Sequence, residues 1–109
     1  MKLELDAEFL RWLSEWDGEF EWDKGNCDKN EKHGLNRVEI ESIFESSVYV
    51  AGKIMDIEES RWLLLGETGS KGWALIVTSR DEKLRVISCR RQRKKEAIFY
   101  EGFKKEIQN

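Results

Sequence analysis

Apolar residues recur at helical spacing near the start of the chain, alternate or run together through its middle, and return to helical spacing at its end. Phe9, Leu10, Trp12, Leu13 and Trp16 fall on one stripe of a helix that Asp6 can cap and Asp17-Gly18 can end. Two tryptophans on so short a helix need a surface to cover them, either their own domain or a partner or second copy. Phe20-Glu21-Trp22 alternates like a short strand, and Asp23 can then cap a brief polar helix through Lys24 to His33, stopped by Gly34. Asn36 and Glu39 have the spacing of a capping box ahead of a helix carrying Val38, Ile40, Ile43 and Phe44.

Val48-Tyr49-Val50 is a strand candidate, residues 53–60 read as a connection with an irregular or strand-like part, and three strand candidates follow at 61–66, 73–79 and 84–89. Their links, 67–72 with two glycines and the polar 80–83, have hairpin length, so an antiparallel meander is expected. The strands are nearly continuous in Leu, Ile, Val and Trp, which calls for helices over both sheet faces. The last helix spans 93 to about 106, with Ala97, Ile98, Phe99, Tyr100, Phe103 and Ile107 expected on its buried side. The fold class is therefore α+β: helices packed on an antiparallel meander sheet, a C-terminal helix and an extra N-terminal amphipathic helix.

At 109 residues the chain suits one domain with one core. No apolar run approaches the ~18 residues of a membrane span, and the N-terminus lacks the pattern of a secretory signal, so a cytoplasmic protein without membrane contact is expected. The net charge of -3 conceals a polarity. Residues 1–60 carry 16 acidic against 7 basic side chains, and residues 61–109 carry 6 against 12. One part of the molecule is thus suited to an anion, while a pI near 5.3 argues against indiscriminate nucleic-acid binding.

The basic character peaks where the strand ending at Cys89 runs into Arg90, Arg91, Arg93, Lys94 and Lys95. Grouped arginines suit planar, bidentate recognition of phosphate. Arg90 and Arg91 are adjacent, so a continuing strand points them to opposite faces; one can meet a phosphate and the other can pair with an acid of the N-terminal half. Cys27 and Cys89 have no metal-ligand spacing and read as reduced thiols. One histidine and scattered carboxylates suggest neither a metal nor another cofactor.

FEWDKGNCDKNEKHG at 20–34, ESRWLLLGE at 59–67 and LRVISCRRQRKKEAIFYE at 84–101 resemble the BrnT family, ribonuclease toxins of type II toxin-antitoxin modules, in family order and spacing over about 20–103. The resemblance implies a RelE-like fold for a single toxin domain at 20–109, with 1–19 as a helical extension. It also implies a ribbon-helix-helix antitoxin of the BrnA type, which would contact DNA for the pair, and an RNA substrate. By the same analogy Arg61, Arg80, Arg90 and Arg91 take phosphate-facing catalytic roles.

RNA cleavage without a metal needs a proton acceptor for the ribose 2′-hydroxyl, a donor for the leaving oxygen and cations for the developing charge. His33 is the natural proton-transfer candidate, although before Gly34 it can equally cap a helix end. Lys32, Arg93 and Lys94 are candidate RNA contacts that read equally as surface charge. Trp62, Trp73 and Tyr100 can stack on bases but fit core packing better, and Cys89 lacks a histidine partner for thiolate chemistry. The alternative to a nuclease is a non-catalytic module of the same fold that acts through a ribbon-helix-helix protein.

Overall fold

The computed structural model describes residues 2–32 and 34–108. The elements are β1 (Leu3–Glu4), α1 (Ala7–Glu15), α2 (Lys24–Glu31), α3 (Arg37–Ile43), β2 (Tyr49–Ile54), β3 (Trp62–Thr68), β4 (Lys71–Arg80), β5 (Lys83–Arg91) and α4 (Lys94–Gln108). All five strands join one sheet in sequence order, and every neighbouring pair is antiparallel. Helices lie on this meander, so the expected α+β architecture is present.

The helix starts follow from the capping residues. Asp6 accepts from the Phe9 amide at 3.2 Å. Asp23 and Asn26 exchange side-chain to backbone bonds at 2.7 and 3.0 Å, and Asn36 and Glu39 do so at 2.9 and 3.2 Å. Each exchange satisfies amides that a helix N-terminus otherwise leaves unpaired. The stripe of α1 docks on its own sheet: Phe9 stacks on Trp62 at 4.1 Å, and the Trp62 indole donates to Asp6 at 2.9 Å.

Strand alternation gives the sheet two faces. One buries Trp62, Leu64, Trp73, Leu75, Val77, Leu84 and Val86 with Phe9 of α1 and Ile40 and Ile43 of α3. The other buries Leu63, Leu65 and Ala74 beneath Tyr100 of α4. Trp62, Trp73 and Tyr100 are thus core residues, at 8%, 5% and 2% exposure.

Several sequence expectations are corrected. Residues 20–22 make only a single parallel bridge, Phe20 to Leu84, and β2 runs on to Ile54. The two-residue β1 had no periodicity to announce it. In α4 the expected buried side is rotated, because Glu96 and Tyr100 are held by partners on the sheet and its flanks while Ile98, Phe99 and Ile107 are 64%, 54% and 51% exposed.

Gly66 sets the approach of α3, since a Cβ there would overlap the Ile43 side chain. Gly66→Ala is expected to lower stability by about 1–3 kcal/mol through overpacking, read as a lower midpoint in chemical denaturation. An unchanged midpoint would show that α3 can shift at no cost.

Candidate functional site

The β4–β5 hairpin turns through Asp81 and Glu82, both at positive φ (52° and 64°), as a two-residue type I′ turn requires. That turn fixes the register in which Arg80 faces Lys83 and Thr78 faces Arg85. Leu84 and Val86 point to the face of the first three helices, so Arg85 between them points to the α4 face, and Arg80 shares its parity. Arg61 stands on that face too, one residue before Trp62, which points the other way.

Three guanidiniums, one just before β3 and one each from β4 and β5, therefore gather at one end of the α4 face, among three carboxylates. Arg85 Nη1 lies 2.8 Å from Asp23 Oδ2 and 3.1 Å from Glu21 Oε1. Arg80 Nη1 is 3.1 Å from the same Glu21 oxygen, and Arg61 Nη2 is 2.7 Å from Glu59 Oε2. Glu21 is placed by backbone pairing beside β5, its amide donating to the Leu84 carbonyl at 2.9 Å. Asp23 belongs to the cap of α2.

Arg85 holds the Asp23 carboxyl below the usual range, and Arg61 does the same to Glu59, with Arg80 and Arg85 adding to its field. Both carboxylates are thus ionised at neutral pH. The side chains of Arg80, Asp23 and Glu59 are 53%, 52% and 65% exposed. Pairs this exposed add little to stability, so a phosphate can replace a carboxylate at a guanidinium without unfolding the site.

Arg90 and Arg91 do point to opposite faces, as adjacency requires. Arg90 makes a two-pronged pair with Glu96 of α4, at 2.7 and 2.8 Å, which raises its own pKa and depresses that of Glu96. Its acid comes from the last helix and not from the N-terminal half. Arg91 lies over the Trp73 ring at 5.6 Å on the other face. It borders a groove of about 570 Å³ with Gly34, Leu35, Lys71 and Trp73.

Residues 22–96 match the family model of the ribonuclease toxin BrnT of type II toxin-antitoxin systems. The chain belongs to the BrnT family. No curated protein and no solved structure matches it. The matched part of this BrnT chain runs from Trp22, just before the cap of α2, to Glu96 and holds all five arginines described above, whereas β1, α1 and most of α4 lie outside it. Membership makes the protein a toxin of the ribonuclease type with an antitoxin as its counterpart. No described helix is long and apolar enough to cross a membrane.

The residues expected to be catalytic do not form one constellation. Arg61 and Arg80 come together, Arg90 shares their face but is bound to Glu96, and Arg91 is on the reverse side. His33 lies outside the described residues. Lys32, which follows α2, Arg93 and Lys94 are exposed. Sequence reading missed Arg85, the least exposed member of the arginine cluster at 15%, and the acids Glu21, Asp23 and Glu59. The available signal was a charged residue inside the apolar run Leu84–Val86. Cys89 is inert, because burial pushes its thiol up to about 11.

Proposed function

We propose that this BrnT protein is a metal-independent endoribonuclease whose phosphate site is the cluster of Arg61, Arg80 and Arg85. The observation that carries the reading is the convergence of three guanidiniums, from the residue before β3 and from β4 and β5, on one solvent-accessible site. Fixed guanidiniums stabilise the extra negative charge that builds on the non-bridging phosphate oxygens when the 2′-hydroxyl attacks, and they need no rearrangement at that moment. Glu59 is the most exposed carboxylate, bound to Arg61 alone among the described residues, and it is the proton acceptor the cluster offers.

In this reading the fold is RelE-like and the toxin acts in the cytoplasm. The counterpart is a BrnA-type ribbon-helix-helix antitoxin that covers the arginine site and supplies any contact with DNA. His33 remains the candidate for the second proton transfer, and Lys32, Arg93 and Lys94 for contacts with the RNA backbone.

A second reading is favoured by the pairing of every cluster arginine with a carboxylate, as in a structural ion network. It makes the chain a non-catalytic module that acts through the ribbon-helix-helix protein. The deciding experiment is incubation of antitoxin-free protein with single-stranded RNA in the presence of EDTA. Cleavage leaving 2′,3′-cyclic phosphate ends is expected. Intact RNA, from protein that still binds the antitoxin, would establish the second reading.

A further inference from the structure

On the α4 face, Arg61 just before β3 is followed by Leu63 and then Leu65 of β3, at intervals of about 7 Å. Arg61 belongs to the arginine cluster, whereas Leu63 and Leu65 line a cleft of about 410 Å³ beside it. The cleft is bordered on one side by Leu3 of β1 and on the other by Arg93, Lys95, Phe99 and the Arg90-paired Glu96 at the start of α4. Phe99 is 54% exposed although its helix is docked. Neither Arg93 nor Lys95 makes an ion pair among the described residues, in contrast to Arg90 beneath them. An apolar floor, an exposed aromatic ring and unpaired cations are thus continuous with the proposed phosphate site, on one sheet face.

We propose that this cleft is a nucleobase subsite, in which one unpaired base of single-stranded RNA stacks on Phe99 while Arg93 and Lys95 hold its flanking phosphates. The proposal rests on the ribonuclease reading and extends it from where the phosphate sits to how the strand is held. The volume falls in the range of pockets for small ligands, about 300–1,000 Å³. The chemistry is that of single-strand binders, aromatic platforms beside a cationic track. Leu3 of the two-residue β1 borders the cleft, whose size suits a compact planar group. The cations at its rim also favour an occupant that carries negative charge beside each planar ring.

The test uses single-stranded RNA with 2′-O-methyl groups throughout, which blocks cleavage, so that binding is read by itself. Phe99→Ala is expected to weaken binding roughly 5- to 100-fold, the effect of removing one stacking platform, and Phe99→Trp to restore it. Abasic residues placed one at a time along the strand supply the second measurement. At one position the abasic change should weaken the wild-type chain as much as Phe99→Ala does and leave Phe99→Ala unaffected. Arg93→Ala with Lys95→Ala should flatten the salt dependence of binding by about 0.7 in log–log slope per lost phosphate contact.

Equal sensitivity of both proteins to every abasic position would overturn the subsite, and cleavage of unmodified RNA by the wild-type chain would then leave the ribonuclease standing. Loss of antitoxin binding in Phe99→Ala, with RNA binding intact, would assign the cleft to the protein partner and equally overturn the proposal. Absence of cleavage together with a positive stacking cycle would remove the nuclease reading and keep the base subsite.

Discussion

Arg85→Ala is expected to lower RNA cleavage by about 100- to 1,000-fold, the usual cost of losing one fixed donor to a developing oxyanion, with little effect on folding. Arg85 is the least exposed cation of the cluster and the only one bound to two carboxylates, so it orders the site as well as charging it. Arg85→Lys keeps the charge but loses the planar fork, and it is expected to recover only a small part of the rate. Arg61→Ala should act in the same direction. The two losses should be less than additive if both arginines serve one phosphate. Arg85 itself is little exposed, but Asp23 is half-exposed and Glu21 keeps Arg80 as a partner, so no carboxylate is left buried and unpaired and the loss of stability should stay below about 2 kcal/mol. Single-turnover cleavage at saturating protein checks the prediction, and a fully active Arg61→Ala, Arg85→Ala double variant would sink the assignment.

The contrast between Arg85 and Arg90 shows which part of this site the sequence exposed. Arg90 to Lys95 attract notice because their charges are neighbours in the chain, yet neighbours in a strand are separated by the sheet itself. Charges that meet in a meander come from the ends of different strands. Arg61 precedes β3, Arg80 ends β4 and Arg85 begins β5, and only the register of the hairpin at Asp81-Glu82 brings the last two together. A bulge between Ile76 and Val77 shifts that register, and local alternation carries no mark of it.

Caps behave differently. The exchanges of Asp23 with Asn26 and of Asn36 with Glu39 are completed within three residues, so helix starts could be read directly. The resemblance placed at residues 20–103 likewise rested on contiguous strings, and the family match at 22–96 coincides with it. The phase of α4 was not legible, because Ala97 to Tyr100 are four apolar residues in succession and define no single stripe. Long-range bonds choose the phase instead: Glu96 meets Arg90 of β5, and the Tyr100 hydroxyl donates to the Ser47 carbonyl at 2.9 Å.

That dependence makes the Arg90–Glu96 pair a sensitive point in the docking of α4. Removing one partner of a buried pair strands the other charge and costs about 3–5 kcal/mol. Here the side chains are 24% and 15% exposed, so Arg90→Ala is expected to cost about 2–3 kcal/mol. Glu96 also accepts from the Arg93 amide at 2.8 Å, which ties the first turn of α4 to the same carboxylate. Glu96→Gln keeps an acceptor for that amide but not the charge, and should cost less. Removing both members with Arg90→Met and Glu96→Leu should recover most of the loss, since no charge is then left unpaired.

The pH dependence has a definite sign. The Arg90 guanidinium holds the folded-state pKa of Glu96 below its unfolded value, so the stabilisation is complete above the unfolded carboxylate pKa of about 4.3 and is lost as pH falls through the depressed value. Urea denaturation across that acidic window should show a steeper decline for the wild-type chain than for Glu96→Gln. Arg90→Ala within about 0.5 kcal/mol of wild type at neutral pH would show that α4 docks without the pair. Measured at a temperature where it remains folded, Arg90→Ala should retain the cleavage rate that Arg85→Ala loses, because its guanidinium faces Glu96 and not the arginine cluster.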